Sequence, residues 1–184
     1  MVHALDRTLL VLRRIARLFV WISLALLLAS VALILAEVFS RRLLGLSLGG
    51  ADELSSYAFA VAVSGSMPYA LLERANIRID AVYQHFSRMA QAWLDLIALL
   101  GFGVFMGLLV FYGYGVLVES ISNRATANTA LSTPLWIPQS LWFVGLVLFV
   151  VVYLAVLLRT LIALFQGDVK TVQALAGSPS APID

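Results

Sequence analysis

Four long segments without charged residues alternate with short charged segments along this chain. They run from Leu18 to Ala36, Leu54 to Leu72, Leu96 to Val118 and Trp136 to Leu158. An α-helix needs about 20 apolar residues to cross about 30 Å of hydrocarbon. None of the segments alternates polar and apolar residues as the strands of a membrane barrel do. The pattern predicts four membrane-spanning helices, at residues 18–39, 54–72, 94–118 and 136–159.

The composition fits a protein whose solvent is lipid. Hydrophobic residues make up 62% of the chain and charged residues 12%, whereas a soluble domain has about 25% charged residues. We therefore predict an all-α integral membrane protein, with a four-helix membrane domain over residues 18–165.

The basic residues predict the orientation of this domain. Nine of the 12 fall before span 1, between spans 2 and 3, or after span 4: Arg7, Arg13, Arg14, Arg17, Arg74, Arg78, Arg88, Arg159 and Lys170. The other three fall on the opposite side: Arg41, Arg42 and Arg124. Because cytoplasmic loops carry the excess of Lys and Arg, both termini are predicted to be cytoplasmic.

Both ends of the chain are predicted to lie outside the bilayer. In residues 1–17, four apolar residues share one helical face: Leu5, Leu9, Leu12 and Ala16. This pattern favours an amphipathic helix at the membrane interface, with a simple basic anchor as the alternative. Span 1 is longer than the apolar core of a cleaved signal peptide, which disfavours that interpretation. Residues 166–184 are predicted to form a disordered cytoplasmic tail.

Small residues repeat at intervals of four on two of the predicted spans. They are Ala58, Ala62 and Ser66 on span 2, and Gly103 and Gly107 on span 3. This spacing lets helix backbones approach closely. We favour packing within the chain, and a docking face for another membrane subunit is the alternative. Pro68 predicts a kink in span 2, since proline removes one backbone hydrogen bond.

Candidate chemistry is sparse. The chain has no cysteine, which excludes disulfides and thiolate metal sites. His3 and His85 lie outside the spans, where they could neither ligate a membrane haem nor activate a serine within a span. The ionisable residues nearest the spans, Glu37, Asp95 and Glu119, lie at their edges, not at mid-membrane where an ion path needs them. We predict no enzyme activity, cofactor, metal or substrate site, and no nucleic-acid partner.

Charged residues cluster around loop 1, residues 40–52. Glu37 and Arg41 are four residues apart, in the favourable orientation for a helical ion pair. Asp52 and Glu53 begin span 2, where the helix dipole favours anions, and could meet Arg41 or Arg42 across the loop. A charge-neutral corner between two helices is the favoured interpretation, and a substrate site is the alternative.

These residues resemble a known pattern. The chain is similar, over residues 10–165, to the small membrane subunit of tripartite ATP-independent periplasmic (TRAP) transporters, the DctQ-like family. The similarity lies in Glu37-x-x-x-Arg41 with Gly45, in Asp52-Glu53-Leu54, in the segment from Arg74 to Asp80, and in Thr133 to Pro138. In the third segment the family commonly has histidine where this chain has Asn76. We assign a structural or partner-interface role to Glu37, Arg41, Arg42, Asp52, Glu53, Arg74, Asn76, Arg78 and Asp80.

The resemblance implies a function that the residues alone do not. Such transporters import organic acids with an ion gradient, usually of sodium, across the bacterial inner membrane. A periplasmic binding protein delivers the substrate, and a large permease subunit binds and moves it. The small subunit would act as a lipid-embedded scaffold, with loops 1 and 3 (residues 119–135) near the docking site of the binding protein. A self-sufficient homo-oligomeric transporter or channel, and a subunit of some other complex, remain as alternatives.

Overall fold

The computed structural model describes residues 2–47, 49–75, 83 and 85–177, and most of these residues are in helices. A π-helical turn, Ser40–Leu44, continues the first helix and ends at Gly45, whose φ of 66° is in the left-handed region that glycine tolerates best. The α-helices of the described residues are α1 (Val2–Phe39), α2 (Ala51–Leu72), α3 (Arg88–Ser122), α4 (Trp136–Phe165) and α5 (Val169–Ala176).

In the part of the chain that the structure describes, three helices are long and apolar enough to cross a membrane: α1 with its π-helical turn, α3 and α4. The all-α class predicted from the sequence is therefore confirmed for the described residues. Helix α2 is not among the three, and its sequence explains why. Its 22 residues include Ser55, Ser56, Ser64 and Ser66, which lower its hydropathy. The fourth span stays a prediction.

Helix α4 lies at the centre of the bundle. It packs against α1, α2, α3 and α5. Its fully buried face includes Phe149, Val152 and Val156, and the ring of Phe149 meets Phe102 of α3 edge to face, with 5.5 Å between centroids. Helices α1 and α3 lie on the outside and turn most of their large apolar side chains away from the bundle.

The contact between α1 and α2 is a narrow line of small and polar residues. The buried residues of α1 include Ala16, Ser23, Ser30 and Glu37, spaced by seven. Because a seven-residue repeat keeps one side of a helix facing its neighbour over many turns, α1 can follow α2 along its whole length. A Cβ added to Gly65 of α2 would lie 3.0 Å from Oγ of Ser23, so the backbones approach closely there.

The two ends of the chain compare differently with the sequence prediction. Residues 166–184 were expected to be disordered, but residues 169–176 form α5, whose Val172 is fully buried against the ends of α3 and α4. The burial of apolar side chains on α3 and α4 stabilises a helix that the polar composition of the segment did not predict. At the other end, residues 2–17 are the first part of α1 with no break at residue 17. Their position relative to a membrane stays a prediction, and residues 178–184 lie outside the described residues.

Candidate functional site

Polar side chains gather at the two ends of the bundle. The Glu37 end comprises residues 37–47, 49–53 and 119–139. The Arg159 end comprises residues 2–17, 69–75, 83, 85–95 and 159–177. The four buried charged residues of the described chain are Glu37, Glu53, Asp95 and Arg159, and each belongs to one of these ends. The middle of the bundle contains none.

Glu37 closes the corner at the end of α1. It is only 5% exposed, yet two groups donate to its Oε1. These are Nη2 of Arg41, at 2.5 Å, and Oγ of Ser47, at 2.7 Å. Arg41 follows one turn later on the same helix, and Gly45 turns the chain so that Ser47 returns to the carboxylate. The predicted Glu37–Arg41 ion pair is present in the structure.

Asp52 and Glu53 face in different directions. Asp52 is exposed and lines a cleft with Arg41 and Arg42. Glu53 is 7% exposed and instead meets the α3–α4 loop, residues 123–135. Its carboxylate accepts hydrogen bonds from Tyr57, at 2.9 Å, and from Thr129. Adjacent helical residues point about 100° apart, so one can enter the bundle while the other stays outside.

Hydrogen bonds also set the charge state of Glu53. The hydroxyl of Thr129 is the main cause that holds the pKa of its carboxyl below the usual value, and Thr133 and Tyr57 add to the effect. Such donors stabilise the ionised form. Glu53 stays charged at neutral pH while it fastens the α3–α4 loop to the start of α2.

The α3–α4 loop has a defined conformation of its own. Backbone N–H groups of Ala127 and Leu135 donate to the carbonyls of Thr133 and Ala125, each at 2.9 Å. Leu131 packs on Gly50, where an added Cβ would lie 2.4 Å from its side chain. Gly50 also has a φ of 86°. Both this left-handed backbone conformation and the close contact with Leu131 therefore require glycine at the position. The contact joins the two loops of the Glu37 end.

At the Arg159 end, a chain of hydrogen bonds crosses from α2 to α3. Arg74 Nη1 donates to the carbonyl oxygen of Gln173, and the Gln173 amide donates to Oε1 of Gln91, both at 3.0 Å. Gln91 donates to the carbonyl of Tyr83, whose hydroxyl donates to Asp95 at 2.8 Å. Asp95, 1% exposed, is therefore hydrogen-bonded inside the protein. Asn76, Arg78 and Asp80 lie outside the described residues.

Ion pairs tie α1 to the same end. Nε of Arg159 donates to Oδ1 of Asp6 at 2.8 Å, and Nη2 of Arg13 donates to Glu73 at 2.7 Å. Asp168 begins α5 and accepts from the backbone N–H and the hydroxyl of Thr171. These bonds, followed by the charge of Arg159, lower the pKa of the Asp168 carboxyl.

The predicted small-residue positions occupy different surroundings. Ala62 and Pro68 are buried in α2, while Ala58 and Ser66 are half-buried. Gly103 lies under Tyr153, whose hydroxyl would be 1.8 Å from an added Cβ, whereas Gly107 faces open space. A close approach between two helix backbones lies elsewhere. An added Cβ at Gly145 would be 2.5 Å from Oγ of Ser64.

Sequence reasoning missed this Gly145 contact, because a single glycine in a long apolar run carries no periodic signal. The seven-residue repeat of small and polar residues along α1 was visible in the sequence and could have located the α1–α2 contact.

The described residues offer no group of three or more His, Asp or Glu that could hold a metal ion. Their buried carboxylates have protein partners. Such an arrangement can fix helices and loops.

Comparison with protein families decides what kind of protein this is. Residues 30–163, well over half of the chain, match the family model described as "Tripartite ATP-independent periplasmic transporters, DctQ component". The chain belongs to the DctQ family. The resemblance seen in the sequence is thereby confirmed, and the protein is a small permease component of a TRAP transporter. Comparison with curated proteins and with solved structures finds no match.

Membership of the DctQ family indicates the kind of assembly to which this chain belongs. The family functions within three-part membrane transporters, and it is a transporter component and not an enzyme family. With three helices able to span a bilayer, this DctQ component is a multi-pass membrane protein.

Proposed function

We propose that this DctQ component is a scaffold that supports a larger permease subunit and contains no transport site of its own. The observation that carries the proposal is the position of the buried charges. All four in the described residues lie at the ends of the bundle. An intramembrane ionisable group is the usual mark of an ion or substrate path, and here the middle is filled by apolar and small residues.

The outer helices supply a surface for such a partner. Only 11% of the apolar window of α1 and 22% of that of α3 is buried within this chain, against 39% for α4. Lipid can cover these faces, and so can the helices of a large permease. Membrane helices associate through close packing of small residues, and Gly101, Gly107 and Gly115 of α3 face open space.

Within this proposal the chain crosses the bacterial inner membrane four times, with both termini in the cytoplasm. Helix α2 has 22 residues and so a length of about 33 Å, close to the thickness of the hydrocarbon core. Its polarity does not oppose the crossing. Ser55 and Ser64 are buried, and the hydroxyls of Ser56 and Ser66 donate to backbone carbonyls of their own helix.

The transport reaction that we propose comes from the DctQ family and not from the residues of this chain. By analogy with the family, the complex imports organic acids with an ion gradient. The large subunit would select the ion, and sodium is our proposed ion. The periplasmic binding protein would dock at the Glu37 end, where the α3–α4 loop is held in place by Glu53 and by the Leu131–Gly50 contact. A defined loop conformation lowers the entropy cost of docking.

Co-purification and uptake test the scaffold role. We expect this chain to co-purify with a large permease subunit from the same membranes, and vesicles with both subunits and the binding protein to take up an organic acid. Vesicles with this chain alone should show no uptake. Full uptake by this chain alone would overturn the scaffold role and favour the homo-oligomeric transporter.

Cysteine labelling tests the topology, because the natural chain has no cysteine to interfere. Single cysteines replace His3, Leu46, Asn128 or Gln166. In right-side-out vesicles, a membrane-impermeant thiol reagent should label the variants at Leu46 and Asn128 only. If α2 does not cross the bilayer, Asn128 lies on the same side as His3 and escapes labelling.

A further inference from the structure

A groove follows α1 and α2 from the Glu37 end towards the middle of the bundle. Its first part is a cleft of about 390 Å³ lined by charged residues, including Arg41, Arg42 and Asp52. A second cleft, of about 520 Å³, continues it and is lined by Leu27, Val31 and Phe59. Ile34 and Asp52 line both parts. The two clefts together form what we call the α1–α2 groove, charged at one end and mainly apolar along the rest.

The charges at the head of the groove are not all paired by the residues that the structure describes. Arg41 pairs with Glu37 at 2.5 Å. Arg42 and Asp52 form no side-chain hydrogen bond or ion pair with the residues that the structure describes. The cleft therefore offers one cation and one anion to a ligand. A phosphate beside Arg42 and an amine beside Asp52 would satisfy both by charge-assisted hydrogen bonds.

The length of the groove fits one leaflet of a bilayer. From Leu27 to Arg42 the helix advances about 22 Å. A bilayer with its headgroups is about 40–45 Å thick, so one leaflet is about half of that. A partner helix that crossed the membrane would need a groove through both leaflets. This match favours a lipid as the occupant.

The distribution of basic residues agrees with this choice. Of the basic residues that the structure describes, only three lie at the Glu37 end, and two of them, Arg41 and Arg42, are adjacent at the head of the groove. Basic residues are disfavoured on the non-cytoplasmic side. Those present beside a groove between helices provide the contacts that phospholipid headgroups need.

We infer that the α1–α2 groove binds one phospholipid with an amine-bearing zwitterionic headgroup. Its phosphate lies at Arg42 and its amine at Asp52, and one acyl chain packs along Leu27, Val31, Ile34 and Phe59. Such a lipid would cover part of α1 that the chain itself leaves open. The inference rests on the proposed orientation, which places the Glu37 end on the non-cytoplasmic side, and does not depend on the scaffold role.

Lipid retention tests the inference. The full-length chain in mild detergent is mixed with equal amounts of phosphatidylethanolamine and phosphatidylglycerol, and the bound lipid is counted by native mass spectrometry. We expect the chain to retain one phosphatidylethanolamine molecule in preference to phosphatidylglycerol. Arg42→Gln should lower its retention about fivefold, the factor that one arginine contributes near a headgroup. Asp52→Asn should remove the preference for phosphatidylethanolamine, because phosphatidylglycerol has no amine.

Two further variants separate the site from general effects. Arg124→Gln removes the third basic residue of the Glu37 end, which is not part of the groove lining, and should leave retention unchanged. Ile34→Trp fills the groove and should lower retention of both lipids while the melting temperature is maintained. Equal retention of the two lipids by the natural chain, or equal loss in the Arg42 and Arg124 variants, would overturn the inference. So would a lipid-free groove that a partner helix occupies in the purified complex.

Discussion

The two ends of the bundle are held together in different ways. At the Arg159 end, side chains from all five helices or the residues next to them bond across the bundle, as in the pairs Arg159–Asp6 and Gln173–Gln91. At the Glu37 end the bonds are fewer and involve loops, where Glu37 holds Ser47 and Glu53 holds Thr129. One end fixes helices to one another, and the other fixes loops to helices.

This difference indicates where a mobile complex can be supported and where it can be recognised. Cross-helix bonds resist separation of the helices, which is what a scaffold requires. Loops are the elements that carry binding function on a rigid framework, and those of the Glu37 end each depend on one buried carboxylate. The following variants test this division of roles, from the largest expected effect to the smallest.

Helices α2 and α4 pack closely in the middle of the bundle, between the two ends. Substitution of Gly145 tests how much this packing contributes to stability. Gly145→Leu should lower the free energy of unfolding by about 3 kcal/mol, because overpacking forces backbones apart. An added Cβ would meet Oγ of Ser64 at 2.5 Å and its carbonyl carbon at 2.7 Å. Unfolding in a denaturing detergent, followed by circular dichroism, measures the loss. Gly107→Ala is the control, since Gly107 faces open space and alanine favours a helix by about 1 kcal/mol.

The Asp6–Arg159 pair tests the Arg159 end. The Arg159 side chain is 10% exposed and that of Asp6 46%, so removal of Asp6 leaves a buried cation with weaker compensation from Asp168. We expect Asp6→Ala to cost about 2 kcal/mol of unfolding free energy. Arg159→Met removes the buried charge itself and should cost less, because Nη1 of Arg159 has no hydrogen-bond partner among the described groups. Equal losses in the same unfolding measurement would contradict this explanation.

Asp168 tests how α5 is held at that end. Asp168→Ala removes the N-terminal cap and should destabilise α5 by about 1 kcal/mol, measured by hydrogen exchange of the α5 amides. Because the folded pKa is lowered, the contribution is complete above the ordinary value of 3.8 and is lost as the pH falls through the folded pKa. Thr171→Val keeps the carboxylate and its backbone bond and should have a smaller effect. If acid leaves the hydrogen exchange of the α5 amides unchanged, the assignment of Asp168 as the N-cap is contradicted.

The sequence was sufficient for the features that depend on local pattern. The apolar segments predicted the long helices, and the spacing of Glu37 and Arg41 predicted their ion pair. The partner of Glu53 was not predictable, because it depends on the rotation of α2 and on Thr129, 76 positions away. Helix α5 had a weak signal in Asp168 and Thr171, but its stability comes from Val172, which packs with Ala92 and Ala163 of two other helices. Contacts of this kind follow from the assembled fold.

Glu53 gives the smallest and most local test, at the Glu37 end. Glu53→Gln removes the charged acceptor of Thr129, so the α3–α4 loop should loosen while the bundle unfolds as before. Trypsin cleavage after Arg124, within this loop, should become faster. In the natural chain the loop should stay fastened above the ordinary pKa of 4.5 and loosen as the pH falls through the lowered folded value.

Asp52→Asn is the matched control, because the exposed Asp52 faces the α1–α2 groove and not the loop. If both variants accelerate cleavage equally, general loss of charge at the start of α2 explains the effect, and Glu53 has no special hold on the loop.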